Sequence, residues 1–168
     1  MNAEEAYLGL GANLGNPKKT FENALSKISD FASIEKVSKL YKSTPYGFSD
    51  QPSFINAAVK ITTTLAPEIL LLELQSIEKQ LGKKIICENG PRIIDIDLLL
   101  YGKISICLKN LTIPHPEILV RDFVLLPLND LNPQLSHPNW GSKTLKSAIS
   151  GLQKKYVEDN PDKWEIQC

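Results

Sequence analysis

The spacing of apolar and polar residues changes period several times along the chain, and each change marks an element. Ala6 to Ala12 reads as a short strand, and Asn13-Leu14-Gly15-Asn16-Pro17 as a turn. Phe21, Ala24, Leu25 and Ile28 then recur at helical spacing and predict a helix near Lys18 to Asp30. Ile34 to Lys42 alternates weakly through Val37, Leu40 and Tyr41, which predicts a second strand. The stretch from Ser43 to Pro52 is a loop, rich in aromatic residues for a connector. Phe54 to Thr64 alternates again and reads as a third strand, with Asn56 near its start. Ala66-Pro67-Glu68 opens a helix whose buried stripe is Leu70, Leu74, Ile77 and Leu81, closed by Gly82, with Gln75 and Glu78 one turn apart beside it.

Gly90-Pro91 signals a turn, and the following residues to Tyr101 form a fourth strand, apolar or β-branched apart from Arg92, Asp95 and Asp97. Leu98 to Tyr101 are apolar on both faces, which suits a central, buried strand better than an edge. Beyond it, Gly102 permits a turn, Ile104 and Ile106 a short strand, and Leu111 to Pro116 an extended segment stiffened by two prolines. Glu117 to Leu126 is read as partly helical. Leu145, Ile149, Leu152 and Tyr156 mark a C-terminal helix, and the polar residues from about 158 to 168 read as a frayed tail. The order βαββαβ predicts an α+β, ferredoxin-like fold, an antiparallel sheet with helices packed on it, as one domain over residues 1–168.

Asp95 and Asp97 carry the chemistry. Alternation along a strand puts residues i and i+2 on one face, roughly 6 to 7 Å apart. Two such carboxylates repel unless a divalent cation, whose preferred ligands are carboxylate and phosphate oxygens, lies between them and an anionic substrate. Arg92 is suited to hold a phosphate beside them. The bland alternative leaves both aspartates as the solvated face of a half-exposed strand. Gly9, Gly11 and Gly15 have neither dinucleotide-loop nor P-loop spacing and read as strand packing and turn geometry.

Composition narrows the function classes. Lysine plus arginine equals aspartate plus glutamate at 19 each, so no global field draws the chain to nucleic acid or an anionic membrane, and an anionic ligand must be bound locally. No apolar run approaches the roughly 20 residues of a membrane span, and the N-terminal residues lack signal-peptide character, so a cytoplasmic protein is expected. Cys87, Cys107 and Cys168 are odd in number and lack C-x-x-C spacing, which argues against a disulfide framework or a zinc site.

With these residues in view, the chain resembles the 6-hydroxymethyl-7,8-dihydropterin pyrophosphokinases of folate synthesis, from Tyr7 to about Asn129. The resemblance is carried by Leu8 to Gly15, Asp50 to Asn56, Gly90-Pro91-Arg92 through Leu98, and Pro114-His115-Pro116 with Arg121 and Phe123. It implies transfer of pyrophosphate from ATP to the pterin hydroxymethyl oxygen, releasing AMP. It further implies two Mg²⁺ ions on Asp95 and Asp97, and Arg92, His115 and Arg121 on the phosphates. Gln75, Glu78, Leu98 and Thr112 would line the nucleotide side. Phe54 and Phe123 suit the faces of the pterin, and Asn56 with Thr44, Pro45 and Tyr46 its hydrogen-bonding edge.

The loop before Gly-Pro-Arg departs from the family's pattern of several arginines and an aromatic: here Lys83 and Lys84 supply the charge, and Glu88 and Asn89 stand where basic and aromatic residues are expected. Lid closure over the ligands is the part of the resemblance this departure bears on. Fusion to a longer folate-pathway protein fits the pattern as well. Two other readings stay open at this level: a different Mg-dependent phosphoryl-transfer enzyme, and a silent ferredoxin-like binding module. Balanced charge weighs against the latter binding RNA.

Overall fold

The structure, a computed structural model, describes residues 2–84 and 86–165. Cys168 lies outside them. Strand β1 (Glu4–Ala12) leads to α1 (Pro17–Ile28), then β2 (Ser33–Val37), β3 (Tyr41–Ser43), β4 (Phe54–Thr63), α2 (Pro67–Gln80) and β5 (Asp95–Tyr101). Strand order in the main sheet is β2-β4-β1-β5, with β3 also on β4, and each pairing is antiparallel. This is the expected ferredoxin-like arrangement. A hairpin of β6 (Ile106–Leu108) and β7 (Leu111–Ile113) follows, then α3 (Asp122–Leu131), a 3₁₀ turn at Pro138–Trp140 and α4 (Leu145–Ser150).

Local chemistry explains the boundaries. Asn16 caps α1, its side chain accepting from the Lys19 amide at 3.2 Å, and Pro17 occupies the first helical position. Pro67 plays the same part in α2, and Gly82 ends that helix at a φ of +94°, a conformation other residues resist. The second predicted strand is broken in two at Ser38, whose hydroxyl accepts from the Ala58 amide at 2.8 Å.

The sheet has a core on each face. Leu8, Leu10, Val59, Ile61, Ile96 and Leu98 meet Phe21, Leu25, Leu70 and Leu74 of α1 and α2 on one side. Tyr7, Ala58, Leu99 and Leu100 meet Leu125, Leu128 and Trp140 on the other. Because both faces are covered, Leu98 to Tyr101 are apolar throughout. The strand is nevertheless at the sheet's edge rather than central, a correction to the sequence reading. Its outer side is protected instead by β7 and by the His115 amide, which donates to the Leu99 carbonyl at 2.9 Å.

The C-terminal segment also differs from expectation. Helix α4 stops at Gly151, so Leu152 and Tyr156 lie beyond it, and the chain turns back along β3. Leu40 and Asp162 exchange backbone hydrogen bonds of 2.7 and 3.0 Å, and the Glu158 amide donates to Lys42. Trp164, 6% exposed, packs on Phe21 and donates its indole N–H to the Ser38 carbonyl at 2.6 Å. Residues 158–165 are therefore a fastened strap, not a frayed tail. Trp164→Ala should lower stability by about 3–5 kcal/mol, the range for truncating a buried aromatic. Urea denaturation checks this, and a loss below about 1 kcal/mol would return the segment to a loose tail.

Candidate active site

Antiparallel register puts Gly9 opposite Asp97 and Gly11 opposite Asp95 on β1 and β5, and Asn56 of β4 opposite Gly11 on the other side. Paired residues share a face, so a row without side chains runs between the aspartates and Asn56. The two glycines thereby form a floor. A Cβ on Gly9 would meet Leu99 at 3.4 Å, and one on Gly11 would face Asn56 Oδ1 at 3.7 Å. Over this floor lies an open cavity, lined also by Thr44, Tyr46, Phe54, Arg92, Arg121 and Phe123. A second open cavity is lined by Gln75, Glu78, Lys83, Leu98, Thr112 and His115. Asp97 belongs to both.

Side chains at this junction are held by a dense polar network. Asp95 pairs with Lys83 Nζ at 2.7 Å through one oxygen and with Arg92 Nη1 at 2.6 Å through the other. Lys83 also reaches Glu78 at 3.2 Å, and Glu78 accepts the Ile96 amide at 2.7 Å, an otherwise unpaired edge group lying between the two aspartates. Burial works against the Lys83 ammonium, but its hydrogen bond to Asp95 and the two carboxylate charges outweigh it and raise its pKa. Desolvation likewise raises Glu78, against the pull of the Ile96 amide and Lys83. Asp97 opens onto the cleft and has no such cation in contact. Its side chain stays open to solvent in the cleft, yet desolvation by the deep walls around it, then the charge of Asp95, push its carboxyl up to about 6.

Asp95 and Asp97, hard oxygen donors on one face of the strand, are a donor set suited to Mg²⁺. Among the described residues no group of three or more histidine, cysteine, aspartate or glutamate side chains stands close enough to hold a metal alone. Phosphate oxygens and water would complete the coordination, which is how Mg²⁺ usually binds. The residues fit such an ion only with an anionic substrate beside it.

The first cavity has aromatic walls and a polar edge. Phe54 and Phe123 are half-buried and belong to neither core, so they are not plain core residues. Asn56, 6% exposed, donates from Nδ2 to the Tyr41 carbonyl and Ser43 Oγ at 3.2 and 2.7 Å. Its orientation is thereby fixed, and Oδ1 is left toward the glycine floor as an acceptor. Arg121 stacks on Tyr46 with its guanidinium carbon 4.0 Å from the ring centre, and its Nε pairs with Glu117 at 3.2 Å.

His115 has its amide on Leu99, while its Nδ1 accepts the Glu117 amide at 3.2 Å, which leaves Nε2 as the protonated nitrogen. Burial lowers its pKa, and Arg121 adds to the shift against Glu117. In the ligand-free protein this favours the neutral imidazole.

The structure thus gathers most of the expected residues, with adjustments. Arg121 lies on the cavity that holds the aromatic residues and not on the one that holds Gln75 and Thr112. Pro45 and the exposed Lys84 line neither cavity. Asn13 was read only as a turn residue. It is 6% exposed, donates to Gln51 Oε1 and the Pro52 carbonyl at 2.9 Å each, and accepts the Arg92 amide at 2.8 Å. Gln51 in turn donates to the Asn89 carbonyl at 2.7 Å. These two amides stitch the aromatic loop to the approach of the aspartate strand, and their place in the motif-rich segments was the only sequence signal for them.

Comparison with known proteins agrees with this geometry. The family model described as 7,8-dihydro-6-hydroxymethylpterin-pyrophosphokinase matches residues 7–133. The chain is 42% identical over 132 residues to the 2-amino-4-hydroxy-6-hydroxymethyldihydropteridine pyrophosphokinase of Aquifex aeolicus, covering 79% of this chain and 82% of that one. It is 43% identical over 155 residues to the enzyme of the same name from Haemophilus influenzae, covering 91% and 93%. The folic acid synthesis protein fol1 of Pneumocystis carinii is 48% identical over 139 residues, which are 82% of this chain but only 19% of that longer protein. Among solved structures, wild-type Plasmodium falciparum HPPK-DHPS superposes with a TM-score of 0.71 at 18% identity, over 89% of this chain and 44% of that one, and so supports the fold. The chain belongs to the 7,8-dihydro-6-hydroxymethylpterin-pyrophosphokinase family.

Proposed function

We propose that the protein transfers the β,γ-pyrophosphoryl group of ATP to the hydroxymethyl oxygen of 6-hydroxymethyl-7,8-dihydropterin and releases AMP, a step of folate synthesis. The observation that carries this reading is the position of Asp97, which lines both an aromatic-walled cavity and a polar neighbouring one. Two substrates seated there would bring their reacting atoms together at the carboxylate pair.

In this reading Phe54 and Phe123 take the two faces of the pterin. Asn56 Oδ1 accepts from its edge, and the Thr44 carbonyl contributes beside it, since the Thr44 amide is already committed to Tyr156. Gln75, Glu78, Leu98, Thr112 and His115 line the nucleotide side, with His115 Nε2–H donating to a phosphate oxygen. Arg92 supplies fixed charge beside the β-phosphate, and Arg121, stacked on Tyr46, faces it from the pterin side. The substrate hydroxyl oxygen forms a bond to the β-phosphorus, the bond from that phosphorus to the α,β-bridging oxygen breaks, and the hydroxyl proton passes to solvent. Two Mg²⁺ ions on Asp95 and Asp97 would supply the Lewis acidity that offsets charge on the transferring group.

Both cavities predict separable losses. Asn56→Ala should weaken pterin binding by roughly 10- to 100-fold, as expected for losing an oriented acceptor in a buried site, with ATP affinity unchanged. Parallel loss of both ligands in equilibrium titrations would contradict the assignment of cavities. Glu78, though on the nucleotide side, acts mainly by holding the Ile96 amide and Lys83.

A different Mg-dependent phosphoryl-transfer enzyme or a silent binding module accounts less well for two cavities meeting at one carboxylate pair. Mn²⁺ titration by electron paramagnetic resonance, with and without the α,β-methylene analogue of ATP, separates the module from the enzyme. Nucleotide-dependent uptake that Asp97→Ala abolishes supports the proposal, and uptake indifferent to Asp97 contradicts it. Fusion to further folate-pathway units is proposed on the example of the longer relatives, and action in the cytoplasm on the ATP dependence. Among the described residues no helix is long and apolar enough to cross a membrane.

A further inference from the structure

The family match ends at residue 133, yet the aromatic wall of the first cavity is held from behind by a segment beyond it. The Tyr156 ring lies 5.8 Å from Tyr46 at an interplanar angle of 59°, and 5.8 Å from Phe123 at 86°, edge to face. Its backbone is tied on both sides of the cavity wall. The amides of Tyr156 and Val157 donate to Asp122 Oδ2 at 2.7 and 2.9 Å, and the Tyr156 carbonyl accepts the Thr44 amide at 2.9 Å. Asp122, 2% exposed, is the neighbour of Phe123 in α3, so its position and the ring's are set together.

We infer that Tyr156 is a positioning residue for the heterocyclic substrate, fixing the separation between the Thr44–Tyr46 loop and Phe123; the inference rests on the function proposed above. Thr44 and Tyr46 come from the loop after β3, and Phe123 from α3. Tyr156 touches both. That loop includes Gly47 at a φ of +79° and a run of exposed residues, and besides Tyr156 it meets the start of α3 through Tyr46, stacked on Arg121. Without Tyr156, part of the ordering of the loop and of the Phe123 ring falls to the ligand, and the cost appears as lost affinity. Among the described residues, Tyr156 makes its wall contacts through its ring and backbone and none through its hydroxyl, so phenylalanine should serve equally well.

The test titrates 6-hydroxymethyl-7,8-dihydropterin, read by its fluorescence, into the full chain saturated with Mg²⁺ and α,β-methylene ATP. Tyr156→Leu should weaken pterin binding by roughly 5- to 50-fold, the loss expected from two aromatic contacts and a looser loop. Its nucleotide affinity should stay within about twofold of wild type, because the second cavity lies across the aspartates from Tyr156. Tyr156→Phe should bind like wild type. Ile28→Val, a mild destabilisation on the far face of the sheet, should leave pterin affinity unchanged.

The inference is overturned if Tyr156→Leu binds pterin within twofold of wild type, if nucleotide affinity falls in parallel, or if Tyr156→Phe is as weak as Tyr156→Leu. It is equally overturned if Ile28→Val loses as much. Should Tyr156→Leu not fold, Tyr156→Met is read by the same criteria. A wild-type chain that takes the nucleotide analogue but no pterin would instead overturn the proposed function, and this inference with it.

Discussion

Asp97→Ala should abolish turnover, by on the order of a thousandfold or more, while making the ligand-free protein more stable. The two effects have one cause. The Asp97 carboxyl is raised from 3.8 to about 6, so the folded protein disfavours its charge when neither metal nor nucleotide is present. A raised carboxylate pKa means that this cost is absent below the unfolded value near 4, where the group is protonated in both states. It grows as pH rises towards 6 and is full above it. The gain in melting temperature of Asp97→Ala, measured with chelator, should therefore be larger at pH 7 than at pH 4. Asp95→Ala should lose turnover similarly but lose stability, by about 2 kcal/mol, between the values for exposed and buried ion pairs. It strips the shared partner from Lys83 and Arg92, now 2.7 and 2.6 Å from its oxygens. Equal shifts of stability for the two variants would contradict the ion-pair asymmetry on which this rests.

The adjacent lysines should behave quite differently from each other. Lys83→Ala is expected to lower kcat by roughly 10- to 1000-fold, the range for losing one electrostatic donor at the site of transfer. Lys84→Ala, exposed and outside both cavities, should stay within about twofold. In the ligand-free protein Lys83 sits between Glu78 and Asp95, where its ammonium stands in for a bound cation. Lys83→Ala should therefore tighten divalent-ion binding in the absence of nucleotide, even as it slows the reaction. Single-turnover rates and Mn²⁺ titrations measure both. An unchanged rate with loss of ATP affinity would make Lys83 a ground-state ligand only, and a strong effect of Lys84→Ala would show that the loop is arranged otherwise during turnover.

These two lysines also show where sequence reading stops. Lys83 and Lys84 are neighbours with the same chemistry, and only the packing of the loop after α2 separates a clamp from a surface charge. By contrast Asp95 and Asp97 were legible because strand period alone puts them on one face. Helix α2 was legible because proline, acid, apolar stripe and glycine all agree on it. The edge position of β5 was not, since an apolar run reports that both faces are covered and says nothing about its hydrogen-bonding neighbours. Trp164 is one apolar residue in a polar stretch and has no period to announce it. Tyr156 continues the spacing of Leu145 and Ile149, and Gly151 between them was the signal that the helix ends first. Asn89 adopts a φ of +56°, with its side chain against Gly47, so a tryptophan there would carry backbone strain as well as an aromatic face.

Phosphorus NMR of the products formed from ATP and 6-hydroxymethyl-7,8-dihydropterin tests the central claim most directly. If the carboxylate pair directs attack at the β-phosphorus, AMP and a pterin diphosphate appear in equal amounts, and neither appears with Asp97→Ala. Formation of ADP, or of pyrophosphate with the pterin unmodified, would contradict the account.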